Sequence, residues 1–284
     1  MPAPCQSNAA PESIGNLPGE ELLDRLERQA HLWLCFPEED PDPSLLGRLR
    51  SLLSAGERQR HDRLQREREQ RLFLVAHALT RLVLSRYLGL PPEALCFEAD
   101  GHGRPELCVE QRRPERLASA AGGTRSISFN LSHTPGCVAC LVSAVSMSGV
   151  DVQVTSAVAD PLRVAGTYLS AAEQRHLQGL PEDRRRHRFF ELWTLGEAYL
   201  KARGTVELSP ESYTFLVDDE DDQIRVSFEP TLGDDDRDWQ FELSRPRPEH
   251  VLALALRRGR SRDLEVVQSA TRGLRSLLGP GGAR

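Results

Sequence analysis

The sequence predicts an α+β protein built from two similar lobes. Two observations carry this. Each half runs through a strand or loop, then helix, then antiparallel strands, and 284 residues is enough for two domains of ordinary size. The apolar pattern is also interrupted near the middle by Ser146-Met147-Ser148-Gly149. No residue-level repeat links the halves. The expected organisation is an extension over 1–30, a first lobe over 31–147, a second over 148–258 and a tail over 259–284.

The elements follow in order. Glu20 to Arg28 reads as a short helix in an extension outside the core. His31-Leu32-Trp33-Leu34-Cys35-Phe36 reads as a strand stopped by Pro37. Helical spacing runs from Leu45 to Leu53; Ser54 then caps one long helix, Glu57 to Leu88, ended by Gly89 and Pro91. Its arginine face (Arg58, Arg60, Arg63, Arg66, Arg68, Arg71) is either a binding surface or a solvated face interleaved with glutamates. Asp100 to Leu107 is a glycine-rich turn and short strand, and 109–125 a loop. Ser126 to His133 alternates, ends in polar residues and pairs as a hairpin with Gly136 to Ala144. In the strand Gly149 to Val154, the period of two puts Asp151 and Gln153 on one face. Ser170 caps a helix at Ala171-Ala172-Glu173, and 182–203 is helical. Strands are expected over 212–217, 224–228, 239–243 and 251–256. The acidic runs 218–222 and 234–236 read as solvated hairpin tips, and the basic tail from Gly259 as frayed.

Composition excludes several function classes. Net charge is −6, which gives no global field for nucleic acid. No run of about 18 apolar residues exists, so no membrane span is expected, and the first residues lack the pattern of a signal peptide. The six cysteines are scattered, and Cys137-Val138-Ala139-Cys140 sits in a strand-like stretch with no second pair, so buried reduced thiols and a cytoplasmic location are expected. Of 36 basic residues only one is a lysine, Lys201. Neither a Gly-Lys-Ser/Thr phosphate loop, a kinase lysine motif nor a Ser-x-x-Lys acyl enzyme is present. An ammonium is a compact charge on a flexible stem, suited to a phosphate or a carboxylate. Glu197, four residues earlier, shares its helix face. The pair is equally compatible with an ordinary surface ion pair on spacing alone.

Four islands stand in order: Gly103-Arg104-Pro105, Phe129-Asn130-Leu131-Ser132-His133, Gly149-Val150-Asp151-x-Gln153 and Trp193-Thr194-x-x-Glu197-Ala198-x-x-Lys201. Together they resemble the 4′-phosphopantetheinyl transferase superfamily, in its two-lobed Sfp-type form, over about residues 31 to 256. The resemblance implies transfer of the phosphopantetheine arm of coenzyme A to a serine of an acyl or peptidyl carrier protein, with release of 3′,5′-ADP and coenzyme A in the cleft between the lobes. It implies Mg2+ on Asp151 and Glu197 with Gln153 alongside, Glu197 as general base and Lys201 on the phosphate under attack. It implies Ser132, His133 and Arg104 on the nucleotide phosphates and, on looser alignment, Arg60 on the 3′-phosphate or adenine. Three residues depart from the family pattern: Gly196 replaces a lysine, Gln153 a glutamate and Thr205 a glycine. They leave open a relative that binds coenzyme A or a carrier without transfer. Arg184-Arg185-Arg186-His187-Arg188 is a candidate carrier-docking surface or a solvated face. Two fused lobes predict a monomer.

Overall fold

The computed structural model describes residues 14–37, 43–99, 101, 104–111, 126–205, 208–218, 223–271 and 274–278. The expected loop beyond Gln111, most of the acidic run 218–222, Gly103, Val206 and the chain end after Leu278 lie outside them.

The first lobe begins with α1 (Gly19–Arg25) and β1 (Gln29–Cys35), followed by α2 (Pro43–Leu52), α3 (Ala55–Arg63) and α4 (Glu67–Leu88). A hairpin, β2 (Phe97–Ala99) and β3 (Pro105–Leu107), precedes β4 (Ser128–Thr134) and β5 (Cys137–Ser143). The second lobe holds β6 (Ser148–Val154), α5 (Pro161–Tyr168), α6 (Ala171–Gly179) and α7 (Glu182–Arg203). It continues with the hairpin β7 (Tyr213–Val217) and β8 (Ile224–Phe228), then β9 (Trp239–Ser244) and β10 (His250–Arg257). The last strand is β11 (Glu265–Thr271). The helical rhythm of the halves repeats: a nine-residue helix with a Ser-x-x-Glu capping box, α3 or α6, precedes a 22-residue helix, α4 or α7. Each long helix ends on a left-handed glycine, Gly89 or Gly204.

One sheet has the order β11-β1-β5-β4 and the other β6-β10-β9. Strand alternation builds two cores from the first sheet. Trp33, Cys35, Val138, Cys140 and Val142 face α1, α2 and α4, while Leu32, Leu34, Cys137, Ala139 and Leu141 face Val150, Val152, Leu252 and Leu254 of the second sheet. The CxxC spacing therefore sends its two thiols to opposite faces. Both are free and buried, as expected, and burial pushes the Cys140 thiol up to about 12.

The two sheets meet at a seam between β4 and β6. There the polar side chains of β4 stand in for a backbone ladder. Val150 N donates to Asn130 Oδ1 at 3.0 Å, Val152 N to Ser132 Oγ at 3.2 Å and Val154 N to Thr134 Oγ1 at 3.3 Å. This is why the strand around Asn130 alternates polar residues although they are buried: each satisfies a buried amide. Next to the seam, β6 lies directly on α7. A Cβ at Gly149 would stand 2.1 Å from Ala198 O and 2.6 Å from Ala202 N, so only glycine permits that approach.

Several expectations are corrected. The helix expected from Glu57 to Leu88 is two, because Leu64 and Arg66 are extended. On one straight helix residues 57 and 81 would lie about 36 Å apart at 1.5 Å per residue; the break folds α3 back so that Glu57 meets Arg81 at 2.6 Å. The N-terminal segment is part of the first core, with Ile14, Leu22, Leu23 and Leu26 buried there. The tail does not fray at Gly259 either: β11 pairs in parallel along β1, from Gln29 with Glu265 to Cys35 with Thr271. Its β-branched run gains ladder hydrogen bonds that only the returning chain could supply. Cys96 and Cys108 form a disulfide flanking the β2–β3 hairpin, a pairing their spacing had not suggested.

Candidate active site

A cleft of about 500 Å³ opens between the lobes. Its walls come from α3 and α4 (Glu57, Arg60, His77), the β2–β3 hairpin (Phe97, Arg104), β4 (Asn130, His133) and the last two turns of α7 (Glu197, Lys201). Five of the eight residues expected at the site, Arg60, Arg104, His133, Glu197 and Lys201, line it. The other three, Ser132, Asp151 and Gln153, form the layer behind Lys201.

That layer is tightly bonded. Lys201 Nζ donates to Asp151 Oδ1 at 2.6 Å, to Ser132 Oγ at 2.9 Å and to Val150 O at 3.2 Å. Ser132 Oγ donates to Asp151 Oδ1 at 2.8 Å, and Gln153 Nε2 to Asp151 Oδ2 at 2.9 Å. Asp151 is 3 % exposed and Lys201 29 %, so the carboxylate is sealed under the seam while the ammonium reaches the cleft. Glu197 is half-buried beside them. Burial raises its carboxyl above the ordinary value, the Asp151 charge raises it further, and Lys201 opposes both. His133, open to the cleft, is held below the ordinary imidazole value by the surrounding protein, then by the charges of Lys201 and His77.

Helix α7 presents two cations two residues apart, on different faces. Lys201 meets Asp151 at the cleft. Arg203 points away, to the Asp234 carboxylate, which also accepts from Tyr199 Oη at 2.6 Å and Trp239 Nε1 at 3.2 Å. Asp234 is therefore a sealed hub and not the solvated tip its acidic run suggested, because three donors from α7 and β9 surround it. On this helix the arginine is held by a sealed carboxylate, and the lysine stands at the cleft.

Two family models match the chain: one described as 4′-phosphopantetheinyl transferase, N-terminal, over residues 39–146, the other as the 4′-phosphopantetheinyl transferase superfamily, over 147–255. The 4′-phosphopantetheinyl transferase HetI of Nostoc is 30 % identical over 188 residues, covering 66 % of this chain and 74 % of that protein. The chain belongs to the 4′-phosphopantetheinyl transferase superfamily. It is of the two-lobed type, similar also to the 4′-phosphopantetheinyl transferase psf-1 of Bacillus pumilus, 30 % identical over 48 % of this chain and 51 % of that one. The 4′-phosphopantetheinyl transferase Sfp of Bacillus subtilis is 25 % identical over 55 % of this chain and 62 % of its own.

The transferase-family departures have local reasons. A Cβ at Gly196 would stand 3.1 Å from Tyr213 Oη and 3.2 Å from its Cε2, so the missing side chain makes room for a buried tyrosine. Gln153 donates to the second Asp151 oxygen, which a carboxylate at that position would instead repel. Arg104 reaches the cleft, but its Nη1 is bonded at 2.8 Å to Lys201 O at the C-terminal end of α7, where a cation is favoured. Three arginines of the run before Phe189 brace neighbouring segments, while Arg184 and Arg186 remain exposed. Arg185 donates to Leu180 O and Gln178 O, Arg186 to the carbonyls of Thr155, Val158 and Ala159, and Arg188 to Val217 O. Those carbonyls come from the end of α6 and from loops and a strand that the local helical pattern does not show.

Sequence reasoning missed Glu57, His77 and Phe97 in the cleft wall. Glu57 carried a signal, the Ser-x-x-Glu cap, but nothing local tied it to residues 20 and 24 positions on. Among the described residues one trio of potential ligand atoms, from Glu98, Cys108 and Glu110, lies within 4.8 Å of one another. The bond from Cys108 to Cys96 leaves it two glutamates.

Proposed function

We propose that this protein moves the 4′-phosphopantetheine arm of coenzyme A onto a serine of an apo acyl or peptidyl carrier protein, with Mg2+, and releases 3′,5′-ADP. The observation that carries the reading is that Lys201 and Glu197 meet on one wall of the interlobe cleft, with Asp151 bonded to Lys201 directly behind it. The serine oxygen forms a bond to the phosphorus bearing the pantetheine arm, the bond from that phosphorus to the bridging oxygen breaks, and the serine proton goes to Glu197. A carboxyl whose proton affinity is raised by burial and by Asp151 is a stronger base than an ordinary glutamate. Lys201 sits on a flexible stem between Asp151 and the cleft, placed to turn its ammonium onto a phosphate oxygen as charge builds. Arg60 and Arg104 supply positive charge for the rest of the nucleotide, and His133 offers a ring N–H.

The donor set fits magnesium. Asp151 and Glu197 repel one another and Gln153 carries an amide oxygen, and a hard divalent cation is served by such oxygens; it would take the place of the Lys201 and Gln153 bonds that Asp151 now accepts. Bound there, the ion would neutralise diphosphate charge. We place the protein in the cytoplasm as a monomer: the described residues of one chain line the cleft, and three buried cysteines are free thiols, although Cys96 and Cys108 are bonded to one another. No helix among the described residues is long and apolar enough to cross a membrane.

Intact mass spectrometry of a panel of apo carriers incubated with the protein, coenzyme A and Mg2+ tests the reading. A phosphopantetheine mass gain is expected, lost with chelator and with Lys201→Ala. Glu197→Gln is expected to slow transfer by at least about a hundredfold while coenzyme A still binds. Normal turnover in that variant would sink the catalytic assignment. No gain on any carrier, with coenzyme A binding intact, would favour a binding-only relative.

A further inference from the structure

The β2–β3 hairpin gathers four metal-binding side chains that the chemistry above does not use. Residues 97 to 99 pair with 107 to 105, and Cys108 N donates to Cys96 O at 3.0 Å, which carries the ladder one residue pair further. Cys96 and Cys108 therefore stand opposite one another, with Cα atoms 5.6 Å apart. The period of two puts Glu98 on their face of the hairpin and Phe97 and Leu107 on the other. On that other face Leu107 is buried, and Phe97 packs on Phe129 with ring centroids 5.6 Å apart. The turn Val109–Gln111 then brings Glu110 in: one ligand atom each from Glu98, Cys108 and Glu110 lies within 4.8 Å of the others. Glu106, opposite Glu98, is taken up by Arg104 at 3.2 Å. Among the described residues neither Glu98 nor Glu110 has a hydrogen bond or ion pair, although the chain has 36 basic side chains. The backbone holds these positions without help from the sulfur bond. Gln111 Oε1 accepts from Cys96 N at 2.9 Å, Gln111 Nε2 donates to Ala94 O at 2.8 Å and Gln111 N to Cys108 O at 2.9 Å.

With the Cys96–Cys108 bond closed, the cluster offers only two carboxylates. Reduction adds two sulfurs on a backbone already in place. A dithiol achieves this by exchange: its own S–S bond forms, the Cys96–Cys108 bond breaks, and its two protons end on the protein sulfurs. Two thiolates and two carboxylates suit zinc, with sulfur at about 2.3 Å and oxygen at about 2.0–2.2 Å in a tetrahedron whose edges are about 3.5 Å. The 4.8 Å spread of the trio is within side-chain rotation of that edge. Magnesium is a poor match, because a hard ion takes oxygen and leaves thiolate to softer metals. A divalent cation here would also relieve the repulsion between two glutamates that have no cation of their own.

We propose that Cys96, Cys108, Glu98 and Glu110 bind Zn2+ once the two cysteines are reduced, so that either a disulfide or a metal ties together the strands that bring Phe97 and Arg104 to the cleft. Zinc displaces the two thiol protons to solvent. The site does not rest on the transferase reading, and its test needs no transfer assay. Full-length protein is reduced with a phosphine, which becomes its oxide by taking oxygen from water. It is then stripped of metal and titrated with Zn2+ or Co2+ in excess Mg2+. One equivalent of zinc is expected to bind with Kd below about 1 μM. Co2+ should show thiolate charge-transfer bands and the strong visible bands of a tetrahedral site, and zinc should raise the thermal midpoint of the reduced protein. The oxidised protein and Cys96→Ser should each bind zinc at least about a hundredfold more weakly, the upper end of what losing even a supporting bond costs a metal site. Cys96 is exposed, so its serine variant keeps the fold, which the midpoint of the reduced, zinc-free form checks. Glu98→Gln with Glu110→Gln should weaken zinc by about tenfold or more while the thiolate bands remain. Zinc affinity unchanged by Cys96→Ser would place the ion on other side chains and overturn the proposal. Co2+ binding without thiolate bands, full affinity in the double glutamine variant, or no zinc binding by the reduced parent would each overturn it as well.

Discussion

The helix layers of the two lobes begin with the same device and end in opposite electrostatics. In α3, Ser54 N donates to Glu57 Oε2 at 2.7 Å and Glu57 N to Ser54 Oγ at 3.3 Å. In α6, Ser170 and Glu173 repeat both bonds at the same lengths. Burial alone would raise both carboxyls. At Glu57 the hydrogen bonds from His77, the Ser54 amide and Arg81, with the Arg81 charge, outweigh burial and bring it down to about 2. At Glu173 burial wins: the bonds from the Phe215 and Ser170 amides and the Ser170 hydroxyl are not enough, Glu211 adds repulsion, and the group rises to about 7. The capping box is thus a local motif whose charge state is decided by what the fold brings to its far side. In one lobe that is an arginine and a histidine; in the other it is a strand amide.

The largest test of this contrast removes the first carboxylate. Glu57→Ala leaves Arg81 buried without its counter-charge and is expected to cost about 3–5 kcal/mol in urea unfolding. A loss under about 1 kcal/mol would mean that Arg81 finds water and that the contrast is only apparent. The pH dependence comes next. Between the ordinary 4.5 and about 7, folded Glu173 keeps a proton that the unfolded chain has released, so stability falls as pH rises through that window and levels off above it. Glu57 acts in the opposite sense: its contribution is complete above 4.5 and is lost as pH falls toward 2. Each effect is worth about 3 kcal/mol at most. Unfolding from pH 5 to 8 should show the Glu173 slope, and Glu173→Gln should flatten it; a slope that persists assigns it elsewhere.

A smaller effect sharpens the difference between the long helices. Gly149→Ala drives a methyl into the backbone of α7 and is expected to lower stability by about 2 kcal/mol, with a parallel fall in transfer because Asp151 shares that strand. Unchanged activity at lowered stability would separate the packing of β6 from the placing of Asp151. The smallest effect tests the shared part. Ser54→Ala and Ser170→Ala should each cost about 1 kcal/mol, alike within error, if the two caps are locally equivalent.

What was legible in the chain follows the range of each interaction. Glu197 and Lys201 are one helical turn apart, Asp151 and Gln153 one strand period, and Ser54 and Ser170 both cap helices as expected, though the Ser54 helix stops at Arg63. Such relations hold within a few residues, where backbone geometry alone sets the spacing. The polar alternation of β4 was visible as a pattern, but its purpose, to bond the amides of β6, required both strands side by side.

By itself the sequence determined two α+β lobes, a lone lysine on the same helix face as a glutamate, and four motifs in the order of one enzyme family. The tertiary structure decided that the helix breaks after Arg63 so that Glu57 can reach Arg81, that β11 returns to β1, that Asp234 is sealed and that His77 faces the cleft. Those contacts join residues from 20 to more than 200 positions apart. No local propensity specifies such pairings. They are selected by which buried charges and unpaired amides the closed fold must satisfy.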